Sequence, residues 1–131
     1  TPQDYSRLHD ACFRIDAEID RRVRPKGLIH VDGKKEFAFD EDRKLMVVDT
    51  FGTADEDRFW DATAFANGLH VERSKEVVRR HYRETGYHDE LMSARTNGMP
   101  EPPIPALPNN LVRKVSEIYI ELFETITGQV F

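Results

Sequence analysis

Apolar residues recur three and four apart at the start of the chain, at Tyr5, Leu8, Cys12, Ile15, Ile19 and Val23, which makes one stripe along a helix over residues 1–24. Thr1 is placed to cap it, with Pro2 in its first turn and Asp4 closing a capping box; Pro25 and Gly27 end it. The period then changes. Residues 28–32, 34–39 and 44–49 read as strands, with Asp40-Glu41-Asp42-Arg43 as a polar hairpin turn and Gly33 marking a bulge or bend between the first two. Residues 50–60 read as a loop ending in Arg58-Phe59-Trp60, and 61–73 favour no element. Ser74 is placed to cap a helix over 75–85 that carries Val77, Val78 and Tyr82, with Gly86 past its end. Five prolines fall between positions 100 and 108, so residues 88–110 are expected to be largely extended loop; within them, the Met and Gly content of residues 88–101 suits a mobile lid or an insertion. A last helix begins at Asn109 or Asn110, carries Leu111, Val115, Ile118, Leu122 and Ile126, and closes at Gly128. The expected fold is α+β: a small antiparallel sheet with helices packed on it, in a single domain spanning 1–131.

The hairpin is where this pattern meets chemistry. A turn centred on Glu41-Asp42 pairs Phe39 with Lys44, Phe37 with Met46, Glu36 with Val47 and Lys34 with Asp49. Side chains alternate between faces, so Phe37, Phe39, Met46 and Val48 form an apolar face. The other face gathers Lys34, Glu36 and Asp49, joined by Asp32 if Gly33 does not break the alternation. Two neighbouring carboxylates repel unless a cation lies between them. Mg²⁺ on nucleotide phosphates suits the place, because it takes one or two carboxylates and leaves its other positions to water and phosphate. An ordinary salt-bridged outer face explains the same pattern. In the following loop Asp55 and Arg58 stand beside Trp60, and arginine suits bidentate binding of carboxylate or phosphate.

Composition narrows the picture. The 131 residues support one modest core. With 24 acidic and 19 basic residues the net charge is −5, which speaks against a nucleic-acid module but not against a local anion site. No apolar run is long enough to span a membrane, and the N-terminal residues do not resemble a secretory signal. The first residue is Thr1 rather than Met, which suits a chain cut from something longer. The single Cys12 leaves no internal disulfide or multi-cysteine zinc site, pointing to a reducing cytoplasm. The dispersed glycines form no phosphate-cradling loop of either common type, so an ATP cradle would have to come from elsewhere.

Several segments together resemble the SAICAR synthetase family. Gly27-Leu28-Ile29-His30-Val31-Asp32-Gly33-Lys34-Lys35-Glu36-Phe37 is similar to that family's G-[LI]-I-L-[AV]-D-T-K-F-E-F-G. Asp49-Thr50-Phe51-Gly52-Thr53-Ala54-Asp55-Glu56-Asp57-Arg58-Phe59-Trp60 is similar to its D-E-x-x-T-P-D-S-S-R-F-W. Ser74-Lys75 with Arg79 resembles S-x-D-K-Q-x-x-R less closely, and Tyr82 to Tyr87 resembles Y-L-x-x-x-G-W. The proline-rich stretch and the helix ending Ile126-Thr127-Gly128 look like the family's C-terminal end, so the resemblance is collinear over roughly residues 20–128.

The resemblance implies the ATP-grasp-like C-terminal part of that ligase, without the N-terminal half that cradles the nucleotide. It implies ATP and Mg²⁺ as cofactors, with Glu36 and Asp49 holding the metal on the phosphates. It gives Asp32, Lys34, Asp55 and Arg58 to carboxyaminoimidazole ribonucleotide, and Lys34, Glu36 and Asp49 to catalysis. Its reaction joins L-aspartate to that nucleotide, most simply through an acyl phosphate. The partners implied are those small molecules, the missing N-terminal half in cis or as a separate chain, and further copies in a homo-oligomer. Departures from the pattern stand at Gly33 (Thr in the family), Ala38 (Gly), Thr50 (acidic) and Ala54 (Pro). Glu56-Asp57 replaces two small polar residues and adds two negative charges beside the substrate loop. A divergent, non-catalytic binding or assembly domain with the same fold is the competing expectation.

Overall fold

A computed structural model describes all 131 residues. Helix α1 spans Pro2–Val23 and opens on the expected capping box: the Asp4 amide donates to Thr1 Oγ1 (3.2 Å), and the Thr1 amine donates to Asp4 Oδ2 (3.0 Å). Thr1 and the N-terminal charge hold the Asp4 carboxyl down to about 2. A short 3₁₀ turn, Arg24–Lys26, ends at Gly27, whose φ of 79° is a left-handed turn that glycine adopts without a side-chain clash. Strand β1 (Leu28–Gly33) follows, then β2 (Phe37–Phe39), β3 (Leu45–Val47) and β4 (Asp57–Asp61). Helices α2 (Ala62–Ala66), α3 (Glu76–Glu84), α4 (Tyr87–Thr96) and α5 (Asn109–Thr127) complete the chain.

The architecture is α+β, with helices on small antiparallel ladders, but the pairing differs from the meander expected. β1 pairs with β4, and β2 with β3. Arg58-Phe59-Trp60 therefore lies in a strand and not in a loop. The register of β1–β4 shifts by one between His30 and Asp32, so Val31 is the extra residue of a β-bulge, two positions before the glycine expected to mark it. Past the bulge, Asp32 stands opposite Arg58 and Gly33 opposite Asp57.

The hairpin register is also one residue from the expected one. Phe37 pairs with Val47, Ala38 with Met46 and Phe39 with Leu45. The cause is a three-residue loop, Glu41-Asp42-Arg43: the Asp40 amide donates to the Lys44 carbonyl (3.0 Å), and Arg43 takes a left-handed φ of 61°. Arginine bears the steric cost of that conformation, about 1–2 kcal/mol. Its guanidinium lies 4.6 Å from the Phe39 ring centre and bonds Asp4 at 2.6 Å, which ties the turn to the start of α1. The face shared with Phe37 and Phe39 thus belongs to Leu45 and Val47, in place of Met46 and Val48.

Two further expectations change. The stretch from 88 is helical as far as Thr96, because the prolines begin only at Pro100. The proline-rich segment after it is tied back to α3 and α4: the Tyr82 hydroxyl donates to the Pro105 carbonyl (2.8 Å) and the Tyr87 hydroxyl to the Pro102 carbonyl (3.3 Å). The residues 61–73 that favoured no element hold α2, capped by Asp61, whose carboxylate accepts from the Ala64 amide (2.8 Å).

The core gathers Ile19 and Val23 of α1, Leu28 of β1, Ala54, Phe59 of β4 and Leu122 of α5. Phe59 is fully enclosed. Only nine residues are buried, so much apolar surface stays open. One apolar cleft of about 1000 Å³ lies between α1 and the hairpin, and another of about 650 Å³ runs along α5.

Candidate functional site

A cleft of about 580 Å³ opens where β1 and β4 meet the start of α3, and no apolar residue lines it. Four residues singled out from the sequence are on its wall: Asp32, Lys34, Asp55 and Arg58. The bulge at Val31 makes this possible, because it turns Asp32 to the same face as Arg58. There Arg58 binds Asp32 through both Nε (2.7 Å to Oδ1) and Nη2. The fork holds the Asp32 carboxyl below its usual range and raises the Arg58 guanidinium further above its own.

Lys34 stands between two carboxylates, with Nζ 2.5 Å from Glu36 and 3.7 Å from Asp49. The hydrogen bond to Glu36 raises the Lys34 pKa. Asp49 is steadied by the Thr50 amide, which donates to its Oδ1 (2.8 Å). Asp55 pairs with Lys75 at 3.2 Å. The predicted residues therefore fall into linked pairs. Glu36 and Asp49 touch the cleft only through Lys34.

Three cations on the opposite wall carried no role in the sequence reading: Lys75, Arg79 and Arg83. They lie four apart, so successive turns of α3 present them to one side, and that spacing was legible. Arg79 and Arg83 converge on Glu76 (3.3 and 2.5 Å). Burial would raise the Glu76 carboxyl, but the two guanidinium groups outweigh it and hold it below its usual range. The cap position of α3 is Lys75, one residue later than expected, and the Ser74 hydroxyl before it accepts from the Glu76 amide (3.2 Å).

Each cation of the cleft thus carries a carboxylate partner. Such a lining suits a ligand bearing both anionic groups and hydrogen-bond donors. Glu56 is half-buried on its wall, whereas the Asp57 side chain turns away and is fully enclosed. Only one of the two added negative charges faces the cleft. No group of three His, Cys, Asp or Glu side chains gathers to hold a metal by itself. The Glu36–Asp49 pair suits a cation that completes its shell with phosphate oxygen and water, as Mg²⁺ does.

The fold and the cleft define an α+β module with a polar, multiply charged cleft beside its sheet. A family model described as SAICAR synthetase matches residues 1–94, and the chain belongs to that family. It is 58% identical over 129 residues to the phosphoribosylaminoimidazole-succinocarboxamide synthase of Thermoplasma volcanium, an alignment that covers 98% of this chain and 44% of the relative. The SAICAR synthase of Saccharomyces cerevisiae, solved in complex with SAICAR, superposes with a TM-score of 0.69 at 25% identity over 96% of this chain and 39% of that one. A SAICAR synthetase (type 2) in complex with ADP shares the fold, with a TM-score of 0.65 at 20% identity over 98% of this chain and 40% of that one. The chain spans less than half the length of the relatives it matches. No helix is long and apolar enough to cross a membrane.

Proposed function

We propose that this chain is the C-terminal, metal- and substrate-binding part of a cytoplasmic ligase. The reaction joins L-aspartate to carboxyaminoimidazole ribonucleotide with ATP and Mg²⁺, giving SAICAR, ADP and phosphate. The observation that carries the reading is the single polar cleft that collects Asp32, Lys34, Asp55 and Arg58 against the cations of α3. The yeast relative's complex with SAICAR supports the substrate class, and the ADP complex of the type 2 relative supports the nucleotide.

In this reading Arg58 and Lys34 receive the anionic groups of the ribonucleotide, while Asp32 and Asp55 accept from its donor groups. Glu36 and Asp49 would hold Mg²⁺, which would screen the charge between the nucleotide phosphates and the substrate carboxylate. Lys34, beside both carboxylates, keeps positive charge where a carboxylate oxygen must approach a phosphoryl group. The carboxylate takes the γ-phosphoryl group and ADP leaves. The aspartate amine then attacks the acyl carbon, phosphate departs and the amine gives up a proton. Holding the reacting groups side by side supplies much of the acceleration.

An N-terminal part of the polypeptide would provide the ATP cradle. The open apolar clefts on α1 and α5 are where that part, and neighbouring copies in an oligomer, would pack. The test is release of ADP and phosphate from ATP, the nucleotide and aspartate, by this chain alone and with the N-terminal part supplied. Turnover is expected only from the pair. Full activity of the isolated chain refutes the division of labour, and an inactive pair refutes the ligase reading.

A further inference from the structure

Behind the cleft lies a second charged cluster that the proposed chemistry does not use. Asp57 is wholly enclosed, and Lys35 and His30 are 3% and 5% exposed. Asp57 Oδ1 accepts from Lys35 Nζ and from His30 Nε2, both at 2.7 Å, and Oδ2 accepts from the Gly52 amide. Lys35 also meets Asp16 of α1 at 2.9 Å. Because an ionised carboxylate only accepts, the His30 proton sits on Nε2. Burial would raise the Asp57 carboxyl and lower the Lys35 ammonium. Hydrogen bonds win: those from His30, Lys35 and the Gly52 amide hold Asp57 below its usual range, and those to Asp57 and Asp16 hold Lys35 above its own.

The position of this cluster in the register gives it a role. Side chains alternate along extended chain, so Lys35 points inward while Lys34 and Glu36 point outward, and Asp57 points inward while Glu56 and Arg58 point outward. The two runs are joined by backbone: the Lys34 amide donates to the Glu56 carbonyl (3.2 Å). Gly33 lies over the Asp57 carboxyl, where a Cβ would collide with that carboxyl and stand 2.6 Å from Lys35 Nζ. A buried aspartate at 57 therefore requires glycine at 33. Against the family pattern quoted above, positions 30, 33, 35 and 57 carry His, Gly, Lys and Asp in place of Leu, Thr, Phe and a small polar residue. All four meet here.

We infer that Lys35 and Asp57 are positioning residues: their buried ion pair, closed over Gly33, locks the runs 32–36 and 56–58 in the register that presents Asp32, Lys34 and Arg58 to the substrate. This rests on the reading of the cleft as the substrate site.

The test uses the protein with its N-terminal part, comparing wild type, Gly33→Thr, Lys35→Arg and the triple variant Gly33→Thr/Lys35→Phe/Asp57→Ser. Displacements near 1 Å at a site cost up to about 100-fold, so Gly33→Thr is expected to raise the nucleotide KM roughly tenfold or more. The neutral triple set removes both the collision and the charges, and is expected to recover most of that loss. Lys35→Arg keeps the charge on a longer arm, so it is read even if Gly33→Thr does not fold. Its KM is expected to rise severalfold with kcat little changed. A readout independent of turnover is the Arg58 side-chain NMR signal titrated with inorganic phosphate, expected to respond more weakly in both variants. Unchanged KM and phosphate response with only a lowered Tm would make the cluster merely structural and overturn the inference. A triple variant as impaired as Gly33→Thr would do the same. Wild type that neither turns over nor binds phosphate instead refutes the reading of the cleft.

Discussion

Replacing Lys35 with methionine isolates the energetics of the buried pair. The side chain is 3% exposed, and its ammonium sits 2.7 Å from Asp57 and 2.9 Å from Asp16. Removing one partner of a buried pair costs about 3–5 kcal/mol, because the other charge is left in a poorly solvating place. Two features favour the lower end. The His30 ring and the Gly52 amide still hold the Asp57 carboxylate, and methionine refills most of the lysine stem. About 3 kcal/mol at pH 7, at about 4 °C per kcal/mol for a chain of this size, lowers Tm by about 12 °C. The pH dependence has a definite sign. Asp57 is held below its unfolded value near 3.9, so its contribution is complete above that value and is lost as pH falls through the folded one. Lys35 is raised, so its contribution is complete below its unfolded value near 10.4 and is lost only as pH rises through the folded one. In Lys35→Met, burial without the ammonium pushes the Asp57 carboxyl up, so it protonates at a higher pH than in wild type. The gap between variant and wild type should therefore narrow as pH falls from 7 to 4. Thermal melts by circular dichroism across that range decide it. A gap under about 3 °C at pH 7, or one that keeps its size in acid, would refute the reasoning.

Other consequences concern the cleft. Glu36→Gln should abolish Mg²⁺-dependent ADP release in the complete enzyme while moving Tm by little, because the Lys34–Glu36 pair is half-exposed; activity retained at ordinary Mg²⁺ would take Glu36 out of metal binding. Arg58→Lys loses the two-toothed grip that guanidinium has on Asp32, and is expected to raise the nucleotide KM by about tenfold with a folded protein, measured by steady-state kinetics and melting. Glu56→Ser removes the one added carboxylate that faces the cleft, and should lower that KM by a few-fold at low salt and by less at high salt, since the half-buried group still meets solvent; a KM that rises would make Glu56 a substrate contact.

The long helices were legible because several signals agreed. At α1 the apolar stripe, the Thr1–Asp4 box and Pro2 all favour one start, and at α5 the stripe ends on Gly128, whose φ is 74°. β4 was not legible. Three of its five residues are charged, and Asp57 occupies an inward position where the alternation rule expects an apolar side chain. Only its partners, Lys35 and His30, explain it, and they lie more than twenty positions away. α4 escaped because Leu91, Met92 and Ala94 collect on no single face. The hairpin register turned on Arg43, a residue type that gives little warning of a left-handed turn. The candidate site residues come one by one from the family resemblance, but the pairing of Asp32 with Arg58 needed the bulge, which no local pattern announces.

That hidden register also bears on whether the chain is a working ligase part or a degenerate relative. The residues that depart from the family pattern were the argument for degeneration, and the structure gives several of them other work. Ala54 is 5% exposed and packs with Phe59 in the core. Nothing in the structure explains threonine at 50, whose contact with Asp49 is made by its backbone amide. Gly33 and Asp57 are two parts of one buried arrangement, whose negative charge is met by Lys35 before it reaches the cleft. Asp32, Lys34, Asp55 and Arg58 still share one polar wall, although Gly33, Glu56 and Asp57 line the same cleft. That arrangement favours the proposed working part over the degenerate relative, and turnover by the chain together with its N-terminal part decides between them.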